Sequence, residues 1–246
     1  MVVQAEEGLL TIPTTSGVRV LVATAVPVER DAVAQAFPSG DGPVDIIAVG
    51  VGPAASAASV ASALTAAALR GTPYGLVVSA GIGGGFQPQA PVGSLVVADE
   101  ITVADLGAET ADGFVPVTAL GFGAVTHRPP EALVRDVTAV TGARAGAVLT
   151  VSTVTGSAER AAELRARHPG ALAEAMEGFG VAEAAAAHGV PVLEIRAVSN
   201  PVGPRDRTAW RIADALTALT DAFGKLAPVL ESWSEHEHPH EHPHER

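Results

Sequence analysis

Apolar runs of strand length recur along the chain: VRVLVAT at 18–24, VDIIAVG at 44–50, GLVVSA at 75–80, GSLVVADEI at 93–101, GAVLTVST at 146–153 and VPVLEIRAVS at 190–199. Segments of helical length separate most of them. AASAASVASALTAAALR begins at Ala54, PPEALVRDVTAV carries prolines in its first turn, and SAERAAELRARH has Ser157 as a candidate N-cap. AEAMEGFGVAEAAAAHG, at 173–189, reads as a short helix closed by Gly189, and a last amphipathic helix is expected from about Asp206 to Phe223. In that last helix Trp210, Ala213, Leu216 and Leu219 are spaced for one buried face. Val/Ile/Leu runs without polar alternation suit strands covered on both faces. Alternating with helices, they predict an α/β fold around a mainly parallel sheet, in which ligands bind at the carboxyl ends of strands.

With 48% hydrophobic residues and 26 glycines, the 246 residues can bury a core. The longest apolar stretches, such as GLVVSAGIGGGF, are interrupted by glycine well short of a membrane span. The N-terminus lacks the basic-then-apolar order of a signal peptide, so a cytoplasmic protein is expected. No cysteine is present, which removes disulfides, thiolate nucleophiles and Cys-based zinc sites. The formal charge of −12 offers no basic footprint for nucleic acid. Lys225 is the only lysine, and its Gly-Lys continues into Leu226, so neither a phosphate-binding P-loop nor a well-placed Schiff-base lysine is available.

The polar, unpatterned residues 1–17 read as a flexible extension, 18–226 as one domain, and 227–246 as a low-complexity tail. Five of the eight histidines lie in that tail, but its prolines break helical metal-binding spacing, so a disordered, solvating segment is expected.

GVGPAA follows the second strand and matches a relaxed dinucleotide pattern at Gly50, Gly52 and Ala55. No Asp or Glu lies between Asp45 and Asp99 to hold a ribose diol, so the loop is either a close approach to a smaller ligand or a tight strand-to-helix turn. SAGIGGGF, from Ser79, has Val77 where a nucleophile elbow needs glycine. What remains is a glycine-rich strand end over which a ligand can approach the backbone. Glu29, Asn200 and the TVTGS stretch at 153–157 also fall at or just beyond expected strand ends, and Glu177 stands one residue ahead of the bare positions Gly178 and Gly180. Each has a plain structural reading, the glutamates as helix-start residues and Asn200 as a turn former before Pro201. Together they put two carboxylates and an amide where such a sheet binds its ligand.

ATAVPVER, SAGIGGGFQPQAPVGSLVVADEI and AMEGFGVAEAAAAHGVPVLEIRAVSN resemble, in order and spacing, the nucleoside phosphorylase and nucleosidase superfamily. The likeness runs from about Val18 to Phe223 and is nearest to the 5′-methylthioadenosine nucleosidase branch, within it to the futalosine hydrolases. The resemblance implies a three-layer αβα sandwich with a mixed, mainly parallel central sheet, and cleavage of an N-ribosidic bond without metal or organic cofactor. It implies that Glu177 grips the ribose hydroxyls with Met176 beside the sugar, and that Glu29 activates water. Val154, Thr155 and Gly156 would frame the base, and Ser79 and Gly81 would line the substrate site. Asn200 departs from the aspartate of the adenosine-cleaving members. An amide offers one acceptor and two donor hydrogens, which suits a 6-oxopurine. Hypoxanthine is therefore the expected leaving group, and futalosine, on the menaquinone pathway, the expected substrate. A 5′-methylthioadenosine/S-adenosylhomocysteine nucleosidase, a phosphate-dependent purine nucleoside phosphorylase and a non-catalytic nucleoside-binding module stay open beside it. The family's habit implies a homo-oligomer, with neither nucleic acid nor membrane as partner.

Overall fold

The computed structural model describes residues 18–37 and 42–233. The extension expected at 1–17 and most of the tail expected at 227–246 lie outside those residues.

The strands are β1 (Arg19–Thr24), β2 (Val44–Ala48), β3 (Tyr74–Gly85), β4 (Leu95–Val103), β5 (Gly107–Thr110), β6 (Gly113–Pro116), β7 (Thr126–His127), β8 (Arg144–Thr150), β9 (Ala171–Ala175) and β10 (Val192–Pro201). The α-helices are α1 (Pro27–Ala34), α2 (Pro53–Leu69), α3 (Glu131–Thr141), α4 (Ala158–Arg167), α5 (Gly178–Ala187) and α6 (Ile212–Ser232). Local chemistry accounts for several helix starts. Pro27 and Pro53 stand in the first turns of α1 and α2, where a missing N–H is harmless, and the Ser157 side chain accepts from Arg160 N–H at the head of α4.

The sheet is mixed, with parallel pairing of β1 with β2 and β3, of β10 with β3, and of β8 with β4 and β9. β10 with β4, β3 with β9 and β4 with β7 run antiparallel. The order β10-β4-β8-β9-β3, with β10 also bonded to β3, closes five strands into a ring, and β1 and β2 extend it outward. Alternation along the strands sorts the core to two sides. Val20 and Val22 of β1 pack with α3 and α6 residues such as Leu133, Leu219 and Phe223, while Leu21 and Ala23 pack with Val60, Leu64, Phe179 and Val181 of α2 and α5. This is the layered α/β arrangement that the sequence predicts.

Three expectations need correction. The stretch 173–189 is not one helix: Ala171–Ala175 is β9, and the helix starts only at Gly178. Pairing with β8 and β3 overrides the helical preference of ALAEA. The last helix is shifted, with a short 3₁₀ turn at Arg207–Ala209 and α6 running to Ser232, so the expected boundary at 226/227 falls inside it. Its buried face is Ala215, Leu219, Ala222, Phe223, Leu226 and Leu230; Trp210 precedes the helix and Ala213 is exposed. Finally, β3 does not end at Ala80 but continues through the glycines to Gly85.

Candidate active site

β3, β9 and β10 run side by side beneath a cavity of about 250 Å³. Glu29, Val154, Thr155, Met176, Glu177 and Asn200 all line it, together with Glu174, Ile82, Gly83, Gly84, Arg205 and Trp210. Residues far apart in sequence therefore share one hollow at the strand ends.

Glu29 enters from the first turn of α1, the third helical position, where a carboxylate caps the preceding backbone. Its carboxylate accepts from Ala25 N–H at 3.0 Å, Val26 N–H at 3.3 Å and Ile82 N–H at 2.9 Å. Three of roughly four lone-pair directions are thereby used, leaving one for a water or ligand proton. Burial pushes this carboxyl above its ordinary range, against the lowering influence of the Ile82 N–H and the Arg196 charge.

Glu177 sits immediately ahead of α5. It accepts from Gly52 N–H and Met176 N–H, both at 3.3 Å, and lies 3.4 Å from the Arg196 guanidinium. The GVGPAA loop acts through the first of these bonds. Gly50 and Gly52 adopt φ of 91° and 90°, turning the chain so that Gly52 N–H meets Glu177. The loop itself does not line the cavity.

Arg196, 1% exposed, is the buried hub that the sequence reading missed. Its Nε donates to Glu194 at 2.8 Å and its Nη2 to Ser79 Oγ at 2.9 Å, while Nη1 faces Glu177. Desolvation works against its charge, yet Glu194, Glu177 and Glu29 outweigh it and its pKa is raised. Glu194 is fully buried and its carboxyl is pushed up by that burial. A Glu-x-Arg pair inside the apolar run VLEIRAV was the available signal, because residues two apart on a strand share a face.

Ser79 and Gly81 do not line the cavity. Ser79 is fully buried and accepts from Arg196. Gly81 pairs with Arg196 across the ladder, and a Cβ on it would stand 2.7 Å from Glu29 Oε1 and 2.8 Å from Arg196 Nη1. Only glycine lets these two charged groups close over β3. Gly156 is exposed and packs near the aliphatic stem of Arg205 without lining the cavity. The glycines of β3 that do open onto the hollow are Gly83 and Gly84.

Asn200 is the penultimate residue of β10, in register with Gly84 of β3. Its Oδ1 accepts from Ser199 Oγ at 2.9 Å and its Nδ2 donates to the Pro201 carbonyl at 3.0 Å, leaving one amide hydrogen and one lone pair unengaged by these bonds. Arg30, the cation nearest Glu29 in sequence, pairs with Asp31 at the surface.

The phosphorylase superfamily matches this chain over residues 24–232. A futalosine hydrolase of Streptomyces coelicolor is 73% identical, covering 88% of this chain and 98% of the relative. One from Acidothermus cellulolyticus is 45% identical, covering 85% and 90%. Among solved structures, a 5′-methylthioadenosine/S-adenosylhomocysteine nucleosidase of Helicobacter pylori superposes with a TM-score of 0.73 at 16% identity, covering 86% of this chain and 98% of that one. The native futalosine hydrolase of the same organism gives 0.72 at 16% identity, covering 87% and 98%. At that identity the structural likeness speaks for the fold, and the sequence relatives speak for the family. The chain belongs to the phosphorylase superfamily and, within it, to the futalosine hydrolases.

Proposed function

We propose that the protein hydrolyses the N-glycosidic bond of futalosine, releasing hypoxanthine and dehypoxanthine futalosine, with water as the nucleophile and no metal or organic cofactor. The observation that carries the residue assignment is the common cavity, into which the carboxylates of Glu29 and Glu177 both open and which Asn200 also lines. Glu29 takes a proton from water as its oxygen closes on the anomeric carbon. Glu177, with Met176 beside the sugar, accepts the ribose hydroxyls, and its negative charge favours the oxocarbenium-like transition state over the neutral ground state. As the C–N bond breaks, its electron pair goes to the base, which takes up a proton at N7 from water. Asn200 donates from its amide to O6 and accepts from the N7–H so formed, while Glu29 holds the proton lost by the nucleophilic water. Ser79 and Gly81 act through Arg196 and Glu29 in this scheme, while Val154 and Thr155 frame the base with Gly156 behind them.

Phosphorolysis is the weaker reading. Phosphate needs cationic partners, whereas Glu29, Glu174 and Glu177 line the cavity and Arg196 is engaged by Glu194 and Ser79. Among the described residues, Arg205 is the one basic residue on the lining. A cytoplasmic homo-oligomer serving menaquinone biosynthesis belongs to the same proposal and rests on the family resemblance. The relatives' name supports futalosine as substrate. The deciding experiment follows free base from futalosine, inosine and 5′-methylthioadenosine with and without phosphate. Hypoxanthine release from futalosine that is indifferent to phosphate is expected. Phosphate-dependent release with ribose 1-phosphate products would overturn hydrolysis, and a tight complex without turnover would make the protein a binding module.

A further inference from the structure

The buried carboxylate of Glu174 is not used by the chemistry above, although it lines the same cavity and is only 6% exposed. Its place in the sheet is informative. Gly84 on β3 is in register with Asn200 on one side and with Glu174 on the other. Neighbouring strands lie about 4.8 Å apart, so the two side-chain-bearing positions stand roughly 10 Å from each other with a residue lacking a side chain between them. A carboxylate and a carboxamide thus flank a bare stretch of backbone, where a Cβ on Gly84 would come 3.4 Å from Asn200 Nδ2.

Glu174 is held in one orientation. Thr155 N–H donates to its Oε1 at 2.8 Å, and the Thr155 hydroxyl donates to its Oε2. Both bonds need acceptor oxygens, so they favour the ionised form, while burial pushes this carboxyl up. An ionised carboxylate has about four lone-pair directions and Thr155 uses two, which leaves acceptor capacity on an anchored group.

A 6-oxopurine presents an acceptor at O6 and a donor at N1–H. A 6-aminopurine presents the reverse, a donor at N6 and a lone pair at N1. An anchored carboxylate attracts the N1–H of the first and repels the N1 lone pair of the second. Resting on the 6-oxopurine reading proposed above, we propose that Glu174 is a specificity-determining residue that accepts N1–H of the base, while Asn200, across Gly84, takes O6 and N7. Selectivity of this kind is strong because the wrong base leaves a buried polar group unpaired.

The test measures binding of hypoxanthine, adenine and 1-deazahypoxanthine, in which C–H replaces N1–H, by calorimetry. The wild-type protein should bind 1-deazahypoxanthine roughly tenfold to a hundredfold more weakly than hypoxanthine, the range for one hydrogen bond to a charged group. Glu174→Gln, which keeps one accepting oxygen but loses the charge, should narrow the gap between those two bases and lower the hypoxanthine-to-adenine preference about tenfold. Equal affinity of the wild-type protein for hypoxanthine and its 1-deaza analogue would overturn the proposal, and that arm requires no variant to fold. So would a Glu174→Gln variant that weakens all three bases together, the result expected if Glu174 only anchors the Thr155 loop. Because binding is read without turnover, selective binding by a protein that released no base would support this inference and count against the hydrolase reading alone.

Discussion

Glu29 combines two demands that ordinarily conflict. It is buried, which disfavours its charge, and it must be ionised to take a proton from water. Because its pKa is raised, the active form is lost as pH falls through a value above the usual glutamate range. The kcat/KM for futalosine should therefore climb with pH through that raised value and then level off. Glu29→Gln should lose about 10²- to 10⁴-fold, the usual contribution of a positioned base. A profile that is flat down to the ordinary glutamate pKa would remove Glu29 from that role. On the same cavity, Asn200→Asp replaces an amide donor by a carboxyl able to protonate a purine nitrogen. The variant should shift relative rates toward 6-aminopurine nucleosides; an unchanged ratio of inosine to adenosine cleavage would refute the assignment. Both residues stood out in the sequence because each follows a strand. Arg196 and Glu194 did not, because their partners come from β3, from the start of α5 and from α1.

At the scale of elements, α5 meets α2 closely enough that its glycines are structural. A Cβ on Gly180 would stand 2.6 Å from Ser56 Oγ and overlap the Pro53 carbonyl. On helix propensity alone, Gly→Ala at an interior position stabilises by about 1 kcal/mol. Overpacking of a tight contact works the other way by about 1–3 kcal/mol, so the clash wins. Gly180→Ala should lower the urea midpoint, and spreading α2 from α5 should also loosen the Gly52 bond to Glu177 and slow base release. A variant as stable and active as its parent would show that the helices do not touch there. Gly178 is similar, since a Cβ on it would overlap the Glu194 carboxylate. The glycines that follow the Met-Glu pair at 176–177 therefore have a packing role beside the functional one: bare backbone lets a buried carboxylate and a second helix come close.

For the molecule as a whole, the buried charge is unbalanced. Glu29, Glu177 and Glu194 surround the single guanidinium of Arg196. Glu29 and Glu194 have raised pKa values, so between about pH 4.5 and those values the folded protein binds protons that the unfolded chain has released. Their contribution to stability is fully present below the unfolded value and is lost as pH rises through the folded one. One proton's difference corresponds to about 1.4 kcal/mol per pH unit. Urea melts across this window should show stability falling less steeply with rising pH in Glu194→Gln than in the wild-type protein. Parallel slopes would mean that Glu194 binds its proton equally in both states.

The layered α/β architecture and most strand positions were readable from local patterning, because an uninterrupted Val/Ile/Leu run has few destinations other than a doubly covered strand. The glycine loops and the strand-end positions of Glu29 and Asn200 were readable for the same local reason, whereas Glu177 stood out only by the glycines that follow it. β9 was not: Ala and Glu favour a helix, and only bonds to β8 and β3, distant in sequence, make ALAEA a strand. With β9 misread, Glu174 had no defined face, and its position opposite Asn200 across Gly84 could not be seen. Closure of the five-strand ring likewise depends on β10 pairing with both β3 and β4. Periodicity along a chain reports which residues are buried, whereas which buried residues meet is decided by pairings between segments, and in this protein the cavity is built from such pairings.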